Sequence, residues 1–150
     1  MEDSMPLDTD QTAGTTHTYA RVQDFYARHM HLLDAGEAAE WAAMFTPDGV
    51  FVPPSAPEPI RGRQALEAGV RSAAAALADK GEQVRHLLTM AAVEPRADGV
   101  LFVRSYTQVV VTPQGGKPRL DIMCVCEDEL VAAGDELLVR HRRVTRDDLP

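Results

Sequence analysis

Lysine is nearly missing from this chain: Lys80 and Lys117 stand alone, the remaining basic charge is arginine, and the net charge is −8. An acidic surface excludes nucleic acid and anionic membrane as expected partners. One basic cluster, Arg140, Arg142, Arg143 and Arg146, alternates with Val139 and Val144 and runs into Asp147 and Asp148; it reads as a solvated strand edge. Cysteine is scarce as well, with only Cys124 and Cys126. Side chains at i and i+2 of a strand share a face without the geometry of an unstrained disulfide. No second cysteine pair completes a zinc site, so both are expected to be reduced, buried thiols. His29 and His31 diverge on a helix and cannot share a metal. There is no phosphate-binding glycine loop, no P-loop and no GxSxG. The reading is therefore no metal and no cofactor. No apolar run reaches the roughly 18–20 residues that span a bilayer. Met1 to Thr16 is polar and acidic and lacks the basic and apolar regions of a signal peptide. It reads as a disordered tail, residues 1–16, before one domain over residues 17–150 of a cytoplasmic protein.

What is present is a run of helices followed by a run of strands. Tyr19, Val22, Tyr26, Met30 and Leu33 recur at steps of three and four, which predicts a helix from about His17 to Leu33. Asp34-Ala-Gly36 breaks it. A second helix, about Ala38 to Phe45, carries Trp41, Met44 and Phe45 inward, and Thr46-Pro47-Asp48-Gly49 is a turn. Val50 to Val52 is a short strand, and the proline-rich stretch Pro53 to Pro59 returns at Ile60. A third helix, Arg63 to Lys80, ends at Gly81. Four strands follow: Val84–Val93, Gly99–Thr112, Pro118–Val131 and Glu136–Thr145. Short turn-rich links make them antiparallel neighbours. Helices first and a meander afterwards give an α+β fold, with helices packed on one face of a curved sheet.

The motifs Asp34-Ala-Gly-Glu-Ala-Ala-Glu-Trp41, Phe45-Thr-Pro-Asp-Gly49, Ile60-Arg-Gly-Arg63, Arg85-His86 and Leu138-Val-Arg-His-Arg-Arg-Val-Thr-Arg-Asp147 resemble the SnoaL-like branch of the NTF2-like superfamily, over about Tyr19 to Asp147. The resemblance implies an NTF2-like cone: three N-terminal helices inside a curved, mostly antiparallel sheet around one apolar pocket. The residue-level match is nearest to the scytalone dehydratase-like subset, where an Asp ending the first helix and a His on the strand after the third helix share the pocket. Asp34 and His86 fall at those positions. The texture is similar to small proteins of actinobacterial aromatic polyketide pathways. Two departures stand out: Leu33 replaces a phenol, and Val103 to Val111 contains no second pocket histidine.

A carboxylate bonded to one imidazole nitrogen fixes the tautomer and leaves the other nitrogen to move a proton. Asp34 and His86 are thus candidate catalytic residues; alternatively Asp34 only caps the second helix and His86 is a core residue. His86, Leu88 and Met90 share a strand face, and Tyr26, Trp41, Phe51, Leu88, Met90 and Tyr106 are candidate substrate-binding residues. For Tyr26 and Tyr106 plain packing is the competing reading. Asp121 is a weaker second acid. His17, His29 and His31 read as surface. The expected function is proton transfer (cyclisation, dehydration or stereocontrol of ring closure) on a hydrophobic aromatic polyketide intermediate. The alternatives are a non-catalytic binder of such a molecule and the small subunit of a ring-hydroxylating dioxygenase. The resemblance also implies a homodimer through the outer sheet face, and exposed apolar residues such as Leu138 and Val144 are consistent with it.

Overall fold

The computed structural model describes residues 9–56 and 58–150, with side chains from residue 14 onward. Helices α1 (Thr9–Asp34) and α2 (Ala38–Ala42) precede strands β1 (Phe45–Val52) and β2 (Ile60–Arg61) and helix α3 (Arg63–Lys80). Strands β3 (Glu82–Pro95), β4 (Leu101–Pro113), β5 (Arg119–Ala133) and β6 (Glu136–Arg146) follow. They form one six-stranded sheet in the order β2-β1-β6-β5-β4-β3. Short turns dictate antiparallel pairing from β3 to β6. β1 lies parallel to β6, which places the β1–β2 pair at the opposite edge of the sheet from β3. α1 packs on β3, and α3 packs on β1, β3 and α2. This is the α+β, NTF2-like arrangement expected.

Helix α1 begins at Thr9, well before His17, so residues 9–16 are helical where a tail was expected; residues 1–8 lie outside the described residues. Its buried stripe is Val22, Phe25, Tyr26, His29 and Met30, whereas Tyr19 is exposed. α2 stops at Ala42 and Phe45 opens β1, so the second helix is shorter than its apolar pattern suggested. The Thr46–Gly49 turn is absorbed into β1 as an irregularity between the Phe45↔Val139 and Val50↔His141 pairs. The core joins the three helices to the concave sheet face through Val22, Trp41, Phe45, Leu66, Val103, Leu130 and Val139. Each such large apolar side chain contributes about 1.5–3 kcal/mol on burial.

Two glycines set the helix ends that matter here. Gly36 (φ +72°) closes α1: its N–H donates to Leu33 O at 3.1 Å and the Glu37 N–H donates to Leu32 O at 3.0 Å. That pairing is a Schellman motif, so Asp34 is the last helical residue of α1. It is not the cap of α2, whose N-cap position is Glu37 without a side-chain bond. Gly81 (φ +65°) ends α3 with its N–H on Ala78 O.

Two bulges decide which residues face inward. In β3 the register shifts between Thr89 and Ala92, so Met90 and Ala91 together oppose one residue of β4. Met90 takes a positive φ of 55° and points outward, 76% exposed, while Ala91 is buried. In β6 the register shifts between the Leu130↔Val139 and Glu129↔His141 pairs. The extra residue reverses the alternation, and Arg142 and Val144 turn inward.

Candidate functional site

The concave face encloses a cavity of about 370 Å³, lined mainly by apolar side chains: Met30, Leu33, Trp41, Phe51, Leu66 and Val109 are on its wall. His86, Thr107, Cys124, Cys126 and Arg142 supply the polar atoms. The size is within the range of small-molecule pockets, and apolar walls with a few placed polar groups are their usual chemistry.

At one side of the cavity stands the Asp34–His86 pair. β3 is the edge strand, so backbone N–H groups on its open side need a partner outside the sheet. The His86 N–H donates to Asp34 Oδ2 at 3.1 Å and more weakly to Oδ1 at 3.3 Å. The imidazole Nδ1 lies 2.6 Å from Oδ1. A carboxylate only accepts, so Nδ1 carries the proton, and in the neutral ring Nε2 is left with its lone pair. The Schellman turn aims Asp34 at β3, and burial of that carboxylate (side chain 5% exposed) makes its two bonds to His86 firm.

A second polar group fills the floor. Arg142 is 3% exposed and pairs with fully buried Asp128: Nε donates to Oδ1 at 2.9 Å and Nη2 to Oδ2 at 2.8 Å. Tyr26 Oη donates to the same Oδ2 at 2.8 Å, and Cys126 Sγ to Oδ1 at 3.4 Å. Arg142 Nη1 donates to His29 Nε2 at 2.8 Å. Burial would pull the guanidinium pKa down; the Asp128 carboxylate reverses that and holds it above its ordinary value. Burial, then the Asp128 charge, pushes the Tyr26 phenol and the Cys126 thiol up, so both stay protonated. His29 is held well below the usual imidazole range by burial first, then by the Arg142 charge and by His86. It is neutral, with Nδ1 protonated and, among the described residues, without a partner. Its ring is stacked on Phe25 and Trp41.

A neutral buried histidine sets a sign for pH dependence. The unfolded chain takes up a proton near pH 6.5, and the folded chain resists until a much lower pH. Stability therefore falls as pH drops below about 6.5, by up to about 1.4 kcal/mol per pH unit from this group. His29→Gln keeps an acceptor for Arg142 and removes the titration. The stability gap between wild type and variant in urea unfolding is expected to narrow from pH 7 to pH 5.5; a gap constant over that range would contradict a neutral, buried His29.

The structure brings His86, Trp41 and Phe51 to the wall of one cavity and sets Asp34 behind His86, 2.6 Å from its Nδ1. It does not bring the other expected residues there. Tyr106 points outward and is 45% exposed, because β4 alternates without a break and turns Ser105 and Thr107 inward. Met90 is rotated out by the β3 bulge. Leu88 turns inward but packs against the core cluster, away from the cavity wall. Tyr26 is buried one layer behind the cavity, held by Asp128. Asp121 is exposed and lies 3.7 Å from Arg119. Val144, expected on the outer face, lines the cavity instead. His17 and His31 are exposed as expected, but His29 is buried. The cysteines are buried and free, as expected. Missed entirely was the Asp128–Arg142–His29 group. Its one sequence signal was Asp128 in phase with Cys124, Cys126 and Leu130, a charge among inward-facing residues.

Among the described residues no group of acidic, histidine or cysteine side chains is arranged to hold a metal, and no helix is long and apolar enough to cross a membrane.

Comparison with known proteins agrees with this geometry. The family model described as a SnoaL-like domain matches residues 14–143. No curated protein sequence matches the chain. Aln2 from a Streptomyces species is 34% identical over 88% of this chain and 92% of its own, with a TM-score of 0.81. ActVI-ORFA from Streptomyces coelicolor is 31% identical over 89% and 99%, with a TM-score of 0.82. A Catenulispora acidiphila protein solved in complex with S-DNPA is 36% identical over 89% and 96%, with a TM-score of 0.76. The beta subunit of a putative aromatic-ring-hydroxylating dioxygenase from Novosphingobium aromaticivorans, 18% identical over 91% and 93% with a TM-score of 0.72, shares the fold alone. With a match over most of its length and the fold to go with it, the chain belongs to the SnoaL-like family.

Proposed function

We propose that this protein catalyses proton transfer on an aromatic, polyketide-derived intermediate, with Asp34 orienting His86 as the general base or acid. The observation that carries the reading is the 2.6 Å contact between Asp34 Oδ1 and His86 Nδ1 at the wall of an apolar cavity. Nε2 of that histidine can remove a proton alpha to a ketone, or return one to a leaving hydroxyl. Cyclisation, dehydration and stereocontrol of ring closure all consist of such steps and need no cofactor. Likeness to Streptomyces and Catenulispora proteins, one of them complexed with a small molecule, supports a small-molecule substrate. A cytoplasmic homodimer fits the reading: Leu87, Tyr106 and Leu120 leave apolar surface exposed on the outer sheet face.

The test is a mass-spectrometric product assay with a panel of reactive aromatic polyketide ketones. Wild type is expected to change the product or its stereochemistry, and His86→Ala is not. If both proteins bind and protect the ketone without altering it, the protein is a binder and the enzymatic reading is wrong. Trp41, the sole tryptophan, is on the cavity wall, so its fluorescence reports occupancy. Tyr106→Ala is expected to leave the affinity of such a ketone unchanged within about twofold, as for other surface substitutions. Val109→Trp, which fills the cavity, should abolish quenching. A large loss in Tyr106→Ala would move the binding site to the outer face.

A further inference from the structure

The proton-transfer reading leaves the buried guanidinium at the cavity floor unused. We propose that Arg142 receives the carbonyl oxygen of the substrate, so that the pocket takes an enolisable aromatic ketone with its oxygen on Arg142 and its α-C–H toward His86. The proposal rests on the proton-transfer reading and adds the substrate class and the group that recognises it.

Three observations support it. Arg142 is on the cavity wall, whereas Asp128, its partner, is not. The ion pair therefore turns its positive end toward any ligand and keeps its negative end behind. A salt bridge that served stability alone would have no reason to present only its cation to an apolar cavity.

The donor count points the same way. A guanidinium has five N–H groups. Asp128 takes the edge formed by Nε and Nη2, and His29 takes one hydrogen of Nη1. The second hydrogen of Nη2, on the end of the fork that it shares with Nη1, and one of Nη1 have no acceptor among the described residues. Buried N–H groups seek acceptors, and a carbonyl oxygen in the cavity is one.

The surroundings also fix the donor in place. Tyr26 and Cys126 brace Asp128, and His29 braces Nη1. A donor that does not move during reaction is what stabilises developing negative charge. In the step itself His86 Nε2 forms a bond to the α-proton and the α-C–H bond breaks. Its electron pair forms a C=C bond while the carbonyl π pair moves onto oxygen, and the resulting enolate oxygen is bonded by Arg142. Charge balances within the site, with imidazolium beside Asp34 and enolate beside Arg142. Removal of one donor of this kind typically costs about 10²–10³-fold in rate.

The experiment is isotope-edited infrared spectroscopy of 2-acetylnaphthalene labelled with ¹³C at its carbonyl, bound to the full chain, with Trp41 quenching to confirm occupancy. In wild type the carbonyl stretch is expected below its value for the same ketone in water. The shift should persist in His86→Ala, in Thr107→Val and, with occupancy read by equilibrium dialysis, in Trp41→Phe, which remove the other nitrogen and hydroxyl groups of the cavity wall. It should return to the value found in hydrocarbon in the double variant Asp128→Leu/Arg142→Met, which deletes the guanidinium without stranding the carboxylate. An unshifted band in a quenched wild-type complex overturns the assignment to Arg142 and leaves the dyad reading intact. A shift lost in any of these three variants transfers the role to the residue removed and also overturns it. If neither this ketone nor any of the panel quenches Trp41, the pocket reading itself falls, and this inference with it.

Discussion

Asp128→Ala is expected to destabilise the protein by about 3–5 kcal/mol, read as a lower urea midpoint with an unchanged slope. The size follows from what is left behind. Asp128 is 0% exposed and accepts from Arg142 Nε and Nη2, Tyr26 Oη and Cys126 Sγ. Without it a guanidinium stays buried with no anion, because Nη1 bonds only a neutral His29. The pair itself need not be a net stabiliser: removing two charges from water costs as much as their attraction returns in many proteins. Hence the double variant Asp128→Leu/Arg142→Met should recover most of the loss. Asp128→Asn, which keeps the volume and one acceptor, should fall between. If Asp128→Ala costs under about 1 kcal/mol, the scale of an exposed pair, water reaches this group in solution and the pair is not the closed unit described. The double variant links this measurement to ligand chemistry, since it is expected to keep the fold while it removes the only arginine or lysine among the described residues of the cavity wall.

The elements whose periodicity is local were legible from the chain. Helix α3 runs Arg63–Lys80 as its stripe and Gly81 require, and the four long strands fall within a few residues of their apolar alternation. The Asp34–His86 contact was legible because its two halves sit at structural punctuation, a helix end and a strand on the sheet edge. What was hidden lies downstream of bulges. A single inserted residue in a strand inverts every later side chain. From Val139, strict alternation points His141 and Arg143 inward; the β6 bulge makes it Arg142 and Val144. The same effect exchanges Met90 for Ala91 in β3. Nothing in a run such as Arg140-His-Arg-Arg143 marks which arginine is buried, because the bulge is specified by partner strands far away in sequence. The burial of His29 was missed for a related reason. Its acceptor role depends on Arg142, which lies 113 residues further along the chain.

Asp34→Asn is expected to lower turnover as severely as His86→Ala, by about 10²–10⁴-fold, although it keeps the size and shape of the side chain. Two donors converge on the carboxylate, the His86 backbone N–H and Nδ1–H, and each takes an oxygen. An asparagine offers one oxygen and one NH₂ group. The backbone N–H cannot change its character, so the oxygen must face it, and the NH₂ group faces Nδ1. Nδ1 then becomes an acceptor, the proton moves to Nε2, and Nε2 loses the lone pair that the proton transfer needs. ¹⁵N chemical shifts of the histidine ring read this tautomer directly and require no substrate: Nε2 is expected to change from the unprotonated to the protonated position in Asp34→Asn. Rates of the single variants and of the Asp34→Asn/His86→Ala pair should be alike, since residues that act as one unit do not add. Turnover within about threefold of wild type in Asp34→Asn, far from the loss expected of a misplaced proton, would leave Asp34 as an anchor for the β3 edge. An unchanged tautomer together with lost turnover would instead locate the defect in how the ring is held. Only the combination of a switched tautomer and a lost rate makes the Asp34 carboxylate responsible for the proton that His86 moves.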